Sequence, residues 1–385
     1  MGLLDLSCTE VLPREYRAYF PITERYVYMN HASVSPPSIG VRDAMMQMLD
    51  GITRHGCGKF LEWELSNEWA RSVAARLVNA QPHEIAFLRN TSEALSVVAN
   101  GVTWRSGDNI VSISVEFPAN IYPWLRVGRE NQVEVRLQEA HNGWVDIDEL
   151  LSRVDERTRL VTVSWVEFGS GQRLDIRRIG RFCRERDILF VVDAVQGLGA
   201  LRLDVERDFV DAFAAAGHKF LLGPKGVALL YVSDRVLKQI RPTVIGWTAV
   251  KNYKDYMIHD LDFREGAARF EGGTLNESGI CGLGHSIDLL LTAGPIRIEQ
   301  HLLSLNEYIS RKLAERGYVV SSAGNSDERS AIVVCQHPAR SAEEICDHVK
   351  IRNIIVSARL GKLRIAPLFY NSQGDADAMI DALAT

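Results

Sequence analysis

Two residues near the middle of the chain have the types and setting for covalent chemistry. Asp193 closes the apolar run Phe190-Val191-Val192-Asp193-Ala194-Val195-Gln196-Gly197. A buried carboxylate is costly unless a cation or hydrogen-bond donor meets it. Lys219 follows in Ala216-Gly217-His218-Lys219, just before the glycine-containing Gly223-Pro224-Lys225-Gly226. An acid at the end of one strand and an amine at the end of the next would face each other across a ligand. Taken singly, Asp193 reads equally as a turn residue and Lys219 as a surface lysine. Together with their surroundings they read as a site.

A phosphate anchor stands upstream. Ile85–Arg89 reads as a strand, and Asn90-Thr91-Ser92-Glu93 opens a helix with a capping-box pattern. The free amides of such a helix start, with the hydroxyls of Thr91 and Ser92, suit a phosphate dianion. Acid, amine and phosphate anchor are the groups that pyridoxal 5′-phosphate (PLP) chemistry uses. The carboxylate keeps the pyridine nitrogen protonated so that the ring draws electrons, while the amine forms an imine and moves a proton at the substrate Cα.

These residues need elements to hold them. Apolar strand-like runs at 84–89, 109–116, 132–138, 160–166, 188–195, 210–215 and 227–232 alternate with helical stretches such as Ser92–Asn100 and Ile176–Arg186. Continuous apolar runs fit strands buried on both faces of a parallel sheet with helices on either side. Ligands of such sheets bind beyond the carboxyl ends of the strands. After about residue 250 come a loop-rich bridge, the long helices Ser278–Leu291 and Pro295–Glu315, and mixed strands and helices. The expected organisation is an N-terminal segment (1–40), a large cofactor-binding α/β domain (41–250) with a mostly parallel seven-stranded sheet, and a smaller α+β C-terminal domain (251–385).

Composition agrees with a folded enzyme. The 385 residues are 46% hydrophobic and 24% charged, enough for an ordinary core. A net charge of −5 gives no general basic field for nucleic acid or anionic membrane. The start of the chain lacks a basic n-region and its apolar run breaks at Asp5, which argues against a signal peptide. No stretch reaches the roughly 18 apolar residues of a membrane span, so a cytoplasmic protein is expected. Six scattered cysteines without a Cys-x-x-Cys pair read as reduced thiols, and His55 and Cys57 are too isolated for zinc. No G-x-x-x-x-G-K-[ST] loop is present for a nucleotide.

The ordered series of motifs resembles the class V aminotransferase and cysteine desulfurase group of fold-type-I PLP enzymes. The resemblance runs from Tyr28-Met29-Asn30-His31-Ala32 through Asn90-Thr91-Ser92-Glu93, the segment 116–124, Asp193-Ala194-Val195-Gln196 and Gly217-His218-Lys219. Glu271-Gly272-Gly273-Thr274 and Leu363-Arg364-Ile365 with Tyr370-Asn371 complete it. It implies that Lys219 is the Schiff-base lysine and Asp193 the partner of the pyridinium. Gln196 is implied at the ring hydroxyl and Phe117 stacked on the ring. Thr91, Ser92 and His218 are implied at the phosphate, joined by Gly273 and Thr274 of a partner subunit in a homodimer. Arg364 is implied at the substrate carboxylate, with Asn30, His31, Asn120 and Trp247 around the substrate.

The chain departs from that pattern in four places. Phe117 stands where most of the family has histidine and kynureninase-like members have phenylalanine. Phe168 stands where many relatives have asparagine, and Ala216 where a phosphate-binding serine is usual. The stretch 355–364 lacks the loop cysteine of desulfurases, and Cys335 and Cys346 read as structural. The favoured reading is therefore an aminotransferase-type reaction on an amino acid. A carbon–sulfur β-lyase or cysteine desulfurase-like enzyme is the alternative, followed by an epimerase or a catalytically silent PLP-binding protein.

Overall fold

The computed structural model describes residues 8–321 and 325–383, without the side chains of residues 8–10. Residues 1–7, read above for a signal peptide, and the Cys8 thiol lie outside the described residues.

The strands are β1 (Ile85–Leu88), β2 (Asn109–Ile113), β3 (Glu134–Gln138), β4 (Thr158–Ser164), β5 (Leu189–Asp193), β6 (Ala212–Ala216) and β7 (Ala228–Val232). They form one sheet in the order β1-β7-β6-β5-β4-β2-β3. β7 runs antiparallel to both of its neighbours, and every other pair is parallel. The fold is thus α/β with a mostly parallel seven-stranded sheet. Strands β1, β2 and β5 to β7 are buried along their whole length. That is why they read as unbroken apolar runs rather than alternating ones. Across the β6–β7 pair Phe213 stacks on Tyr231 at 5.4 Å, a contact worth about 0.5–1.5 kcal/mol beyond its buried area.

Helices α1 (Ile39–His55), α2 (Phe60–Val78), α3 (Thr91–Gly101), α4 (Tyr122–Asn131), α5 (Ile176–Arg184), α6 (Glu277–Ala293) and α7 (Pro295–Glu315) follow the expected alternation. The expected bounds shift where local chemistry intervenes. Gln132 takes a left-handed conformation (φ 55°) that ends α4, so β3 begins at Glu134 rather than 132. The strand expected to run to Glu116 stops at Ile113, because the chain turns there and brings Phe117 to the cavity described below.

A second sheet comprises β8 (Val319–Val320), β9 (Val333–Gln336), β10 (Ser357–Arg359) and β11 (Lys362–Ile365), all antiparallel in the order β10-β11-β9-β8. Val27–Tyr28 pairs in parallel with Ile354–Ile355 and ties the N-terminal segment to this region. Two apolar clusters fill the region around the large sheet and a third packs the small one. Helix α6 packs mainly on α1 and α2. No single helix among the described residues is long and apolar enough to cross a membrane.

Candidate active site

A cavity of about 460 Å³ opens at the carboxyl ends of the parallel strands. Asp193, the last residue of β5, is 2% exposed, and one of its oxygens accepts from the Val195 amide at 3.0 Å. Burial pushes its carboxyl up to about 6, opposed by the Val195 amide and by the charge of Lys219. Lys219 lies in the turn after β6. Burial lowers its amine to about 8; Asp193 opposes that shift, while Arg364 and Arg359 add to it. Its Nζ is 5.6 Å from the centroid of the Phe117 ring.

Helix α3 begins at the same cavity because Asn90 caps it: the Asn90 side chain accepts from Glu93 N at 2.9 Å. The amides of Thr91 and Ser92 precede the first intrahelical bond and are left for a ligand. Thr91 Oγ1 already accepts from Ala216 N at 3.2 Å, so its hydroxyl proton is free to donate. Ala216, in the place where relatives have a serine hydroxyl, serves this end through its backbone amide. His218 holds the segment 33–35 in place, its carbonyl accepting from Ser35 N at 2.8 Å. Burial, then Lys219 and Lys225, lower the His218 imidazole, which keeps it neutral at neutral pH.

Gln196 donates through Nε2 to the Ala32 carbonyl at 3.1 Å, leaving Oε1 buried without a partner. Phe117 is 44% exposed and meets Phe168 edge-to-face at 5.3 Å, so its ring face is open to stacking. A buried acid that needs a cation, an orphaned acceptor, an open aromatic face and a helix N-terminus fit the four parts of PLP: ring nitrogen, ring hydroxyl, ring face and phosphate.

The opposite wall comes from the second sheet. Arg364 on β11 is buried. It donates through Nη1 to the Phe168 carbonyl at 3.1 Å and through Nη2 to Ser33 Oγ at 2.8 Å, while its Nε is buried without a partner. Burial, then Arg359, lower its guanidinium to about 10, so it is still charged at neutral pH. Ser33 and Arg359, both on the cavity wall, were not singled out from the sequence. The signal for Arg359 was Gly361. It forms with Leu360 a two-residue turn (φ 71° and 50°) that folds β10 back on β11.

Four residues expected around the substrate, Asn30, His31, Asn120 and Trp247, do not line this cavity. His31 is fully buried beside the cavity, its Nδ1 2.9 Å from Ser35 Oγ and its Nε2 3.1 Å from the Tyr370 hydroxyl. Asn120 is buried among Trp124 and Thr162, whose side chains donate to its Oδ1 at 2.9 Å each. Asn30 turns its Oδ1 into the interior without a partner, and Trp247 is off the cavity wall. Gly273 and Thr274, expected at the phosphate of a partner subunit, line a second cavity of about 310 Å³ with Arg89 and Glu93. Their segment is fixed by Glu271, a buried acid bonded at 2.8 Å to both Arg71 Nη1 and Phe87 N.

Behind the aromatic wall sit two acids that the sequence left unnoticed. Phe117 and Phe168 face the cavity, while Glu116 and Glu167, one residue earlier, are buried away from it. Glu116 accepts from both Ser164 N and Ser164 Oγ. Neither carboxylate oxygen of Glu167 has a partner. Burial pushes the Glu116 carboxyl up to about 8; Ser164 opposes that shift and Asp193 adds to it. Burial raises Glu167 well above the usual range, with Glu116 and Asp193 adding to the shift.

Fold and site together define a fold-type-I PLP-dependent enzyme. The chain matches the family described as Aminotransferase class-V over residues 60–373, and it belongs to that family. It is 36% identical over 300 residues to a probable cysteine desulfurase of Methanothermobacter thermautotrophicus, covering 76% of this chain and 74% of that one. It is 26% identical over 375 residues to an uncharacterized aminotransferase of Bacillus subtilis, covering 97% and 98%. Its fold resembles that of a lysine-to-alanine variant of C-DES solved with glycine covalently linked to the PLP cofactor. That likeness has a TM-score of 0.89 at 22% identity and covers 96% of this chain and 98% of the other. The enzyme uses PLP.

Proposed function

We propose that the enzyme carries out an aminotransferase-type reaction at the Cα of an amino acid, with Lys219 as the covalent anchor of the cofactor and the proton-moving base. The observation that carries this reading is the Lys219 amine, which burial lowers to about 8, in a cavity whose wall holds no cysteine among the described residues. Bound PLP supplies the electron sink for charge left at Cα. Asp193 would hold the proton on the ring nitrogen, and Gln196 Oε1 would accept from the ring hydroxyl. Thr91, Ser92 and His218 would hold the phosphate. Arg364 would fork onto the substrate carboxylate and turn the Cα–H toward Lys219. The amine at about 8 is partly neutral at working pH and so able to take that proton and return it. Phe117 faces Lys219 with no base of its own, which favours proton movement on one side over epimerisation.

Several accompanying assignments belong to the same proposal. The acting form is a homodimer in which Gly273 and Thr274 complete the phosphate site of the partner. Exposed apolar side chains on adjoining helices, Met46, Leu49 and Ile52 on α1 with Leu61 and Leu65 on α2, support a covered face. The division into 1–40, 41–250 and 251–385 is proposed on the two sheets, although α6 packs with α1 and α2. We place the enzyme in the cytoplasm, without nucleic-acid or membrane partners.

The test is a visible spectrum of the purified holoenzyme with a panel of L-amino acids and no keto acid. Lasting loss of the yellow absorption with stoichiometric release of one keto acid supports transamination. Return of the yellow form while pyruvate and sulfide accumulate selects the carbon–sulfur lyase reading, and its return while alanine accumulates as sulfur is released selects the desulfurase reading, which the desulfurase-named relatives favour.

A further inference from the structure

The substrate end of the cavity carries one more positive charge than an α-carboxylate needs. Ser357 lies directly opposite Arg364 across the β10–β11 pair, and Arg359 is two residues beyond Ser357 on the same face. The two arginines are therefore diagonal neighbours, within reach of each other for long side chains. Both guanidinium groups converge on one atom: Ser33 Oγ accepts from Arg364 Nη2 at 2.8 Å and from Arg359 Nη2 at 3.1 Å. The other bond of Arg359 goes to its neighbour's carbonyl, from Nη1 to Ala358 O at 2.7 Å. Neither arginine has a carboxylate partner within ion-pair distance among the described residues. Two like charges held side by side repel unless an anion lies between or beside them.

The acids nearest the site do not supply that anion. Asp193 faces Lys219, and Glu116 and Glu167 are buried behind the phenylalanines. The phosphate anchor lies at α3, formed by a different set of residues.

We infer that the substrate is an amino acid with a second anionic group on its side chain, which Arg359 binds while Arg364 holds the α-carboxylate. This rests on the reading of the cavity as a PLP site for an amino acid. The anion is a carboxylate, or a phosphate of similar reach. Because both cations meet at Ser33, the side chain is short: a few bonds separate the two anions. Arg359 is exposed, so it closes on the distal group from the mouth of the cavity. It sets specificity rather than chemistry.

The experiment uses pairs that differ in side-chain charge, the two carboxylate–amide pairs being isosteric. L-Aspartate is compared with L-asparagine, L-glutamate with L-glutamine, and O-phospho-L-serine with L-serine, on the wild-type holoenzyme and on Arg359→Ala and Arg359→Lys. Changes in cofactor absorption give binding, and keto-acid release gives kcat/KM. The expected wild-type result is a preference for the anionic member of at least one pair. In Arg359→Ala that preference falls about tenfold to hundredfold, the loss expected for a charge-assisted hydrogen bond. Arg359→Lys should restore part of it, and raised salt should erode it in the wild type more than in Arg359→Ala.

Equal loss for charged and neutral members would overturn the inference, because Arg359 would then share the α-carboxylate. A wild-type preference for the amides would overturn it as well. In both cases the amino-acid reading stands, since the cofactor still responds. If no amino acid perturbs the absorption, the broader reading falls together with this one.

Discussion

The two ends of the cavity are built in different ways. At the cofactor end, Asp193, Ala216 and the start of α3 sit where β5, β6 and β1 stop. Each group there is placed by backbone already committed to the sheet core. At the substrate end, Arg359 and Arg364 hang from a hairpin of a different sheet and meet on Ser33, a loop residue. The first arrangement fixes one cofactor in one pose. The second lets a change of turn or of one side chain alter the substrate while the chemistry stays as it is.

Changes at the cofactor end should therefore reduce turnover for every substrate, and changes at the substrate end should act on some substrates more than others. The largest effect is expected from Lys219→Ala. It should lower turnover on the order of 10⁴-fold, since attachment and proton transfer are lost together, as single-turnover assays would record. Next comes Asp193→Asn, with a loss on the order of 10²-fold or more in kcat across all substrates. An effect confined to KM would move Asp193 to the substrate end.

Arg364→Ala should raise KM about tenfold to hundredfold, with a smaller change in kcat. Arg364→Lys should recover only part, because an ammonium lacks the planar fork. Steady-state kinetics on two unrelated amino acids separates this from a folding defect, which would lower the active fraction without changing KM.

The smallest expected effect lies behind the cofactor end. Burial pushes Glu116 up to about 8 in the folded chain and raises Glu167 well above the usual carboxylate range. Both lie above the roughly 4.3 of an unfolded glutamate. In that interval the folded state binds more protons than the unfolded one, so stability falls as pH rises from about 4.5 toward 8. Glu167→Gln removes one of these protons from the balance. Its melting temperature should match wild type near pH 4.5 and exceed it by a few degrees at pH 8. An equal offset at both pH values would mean that the two acids are not stored in their neutral form.

The same contrast explains what the sequence revealed. Asp193, Gln196, His218, Lys219 and Thr91 were legible because a parallel strand buried on both faces leaves a continuous apolar run. A polar residue at its end then stands out. Side-chain direction was not legible. His31 and Asn120 lie within recognisable segments, yet they point into the interior, and Ser33 and Phe117 meet the cavity instead. Arg359 needed knowledge of the Leu360–Gly361 turn before its alignment with Arg364 could be seen. Glu116 and Glu167 come together only because β2 and β4 are neighbours in the sheet, a pairing of strands distant in sequence.

The most direct test of the central claim is to reduce the yellow holoenzyme with borohydride, digest it and locate the cofactor by peptide mass spectrometry. The added mass is expected on the peptide that contains Lys219, and none in Lys219→Ala. Cofactor fixed instead to Lys225 or Lys362, or a yellow Lys219→Ala protein that borohydride still labels, would contradict it.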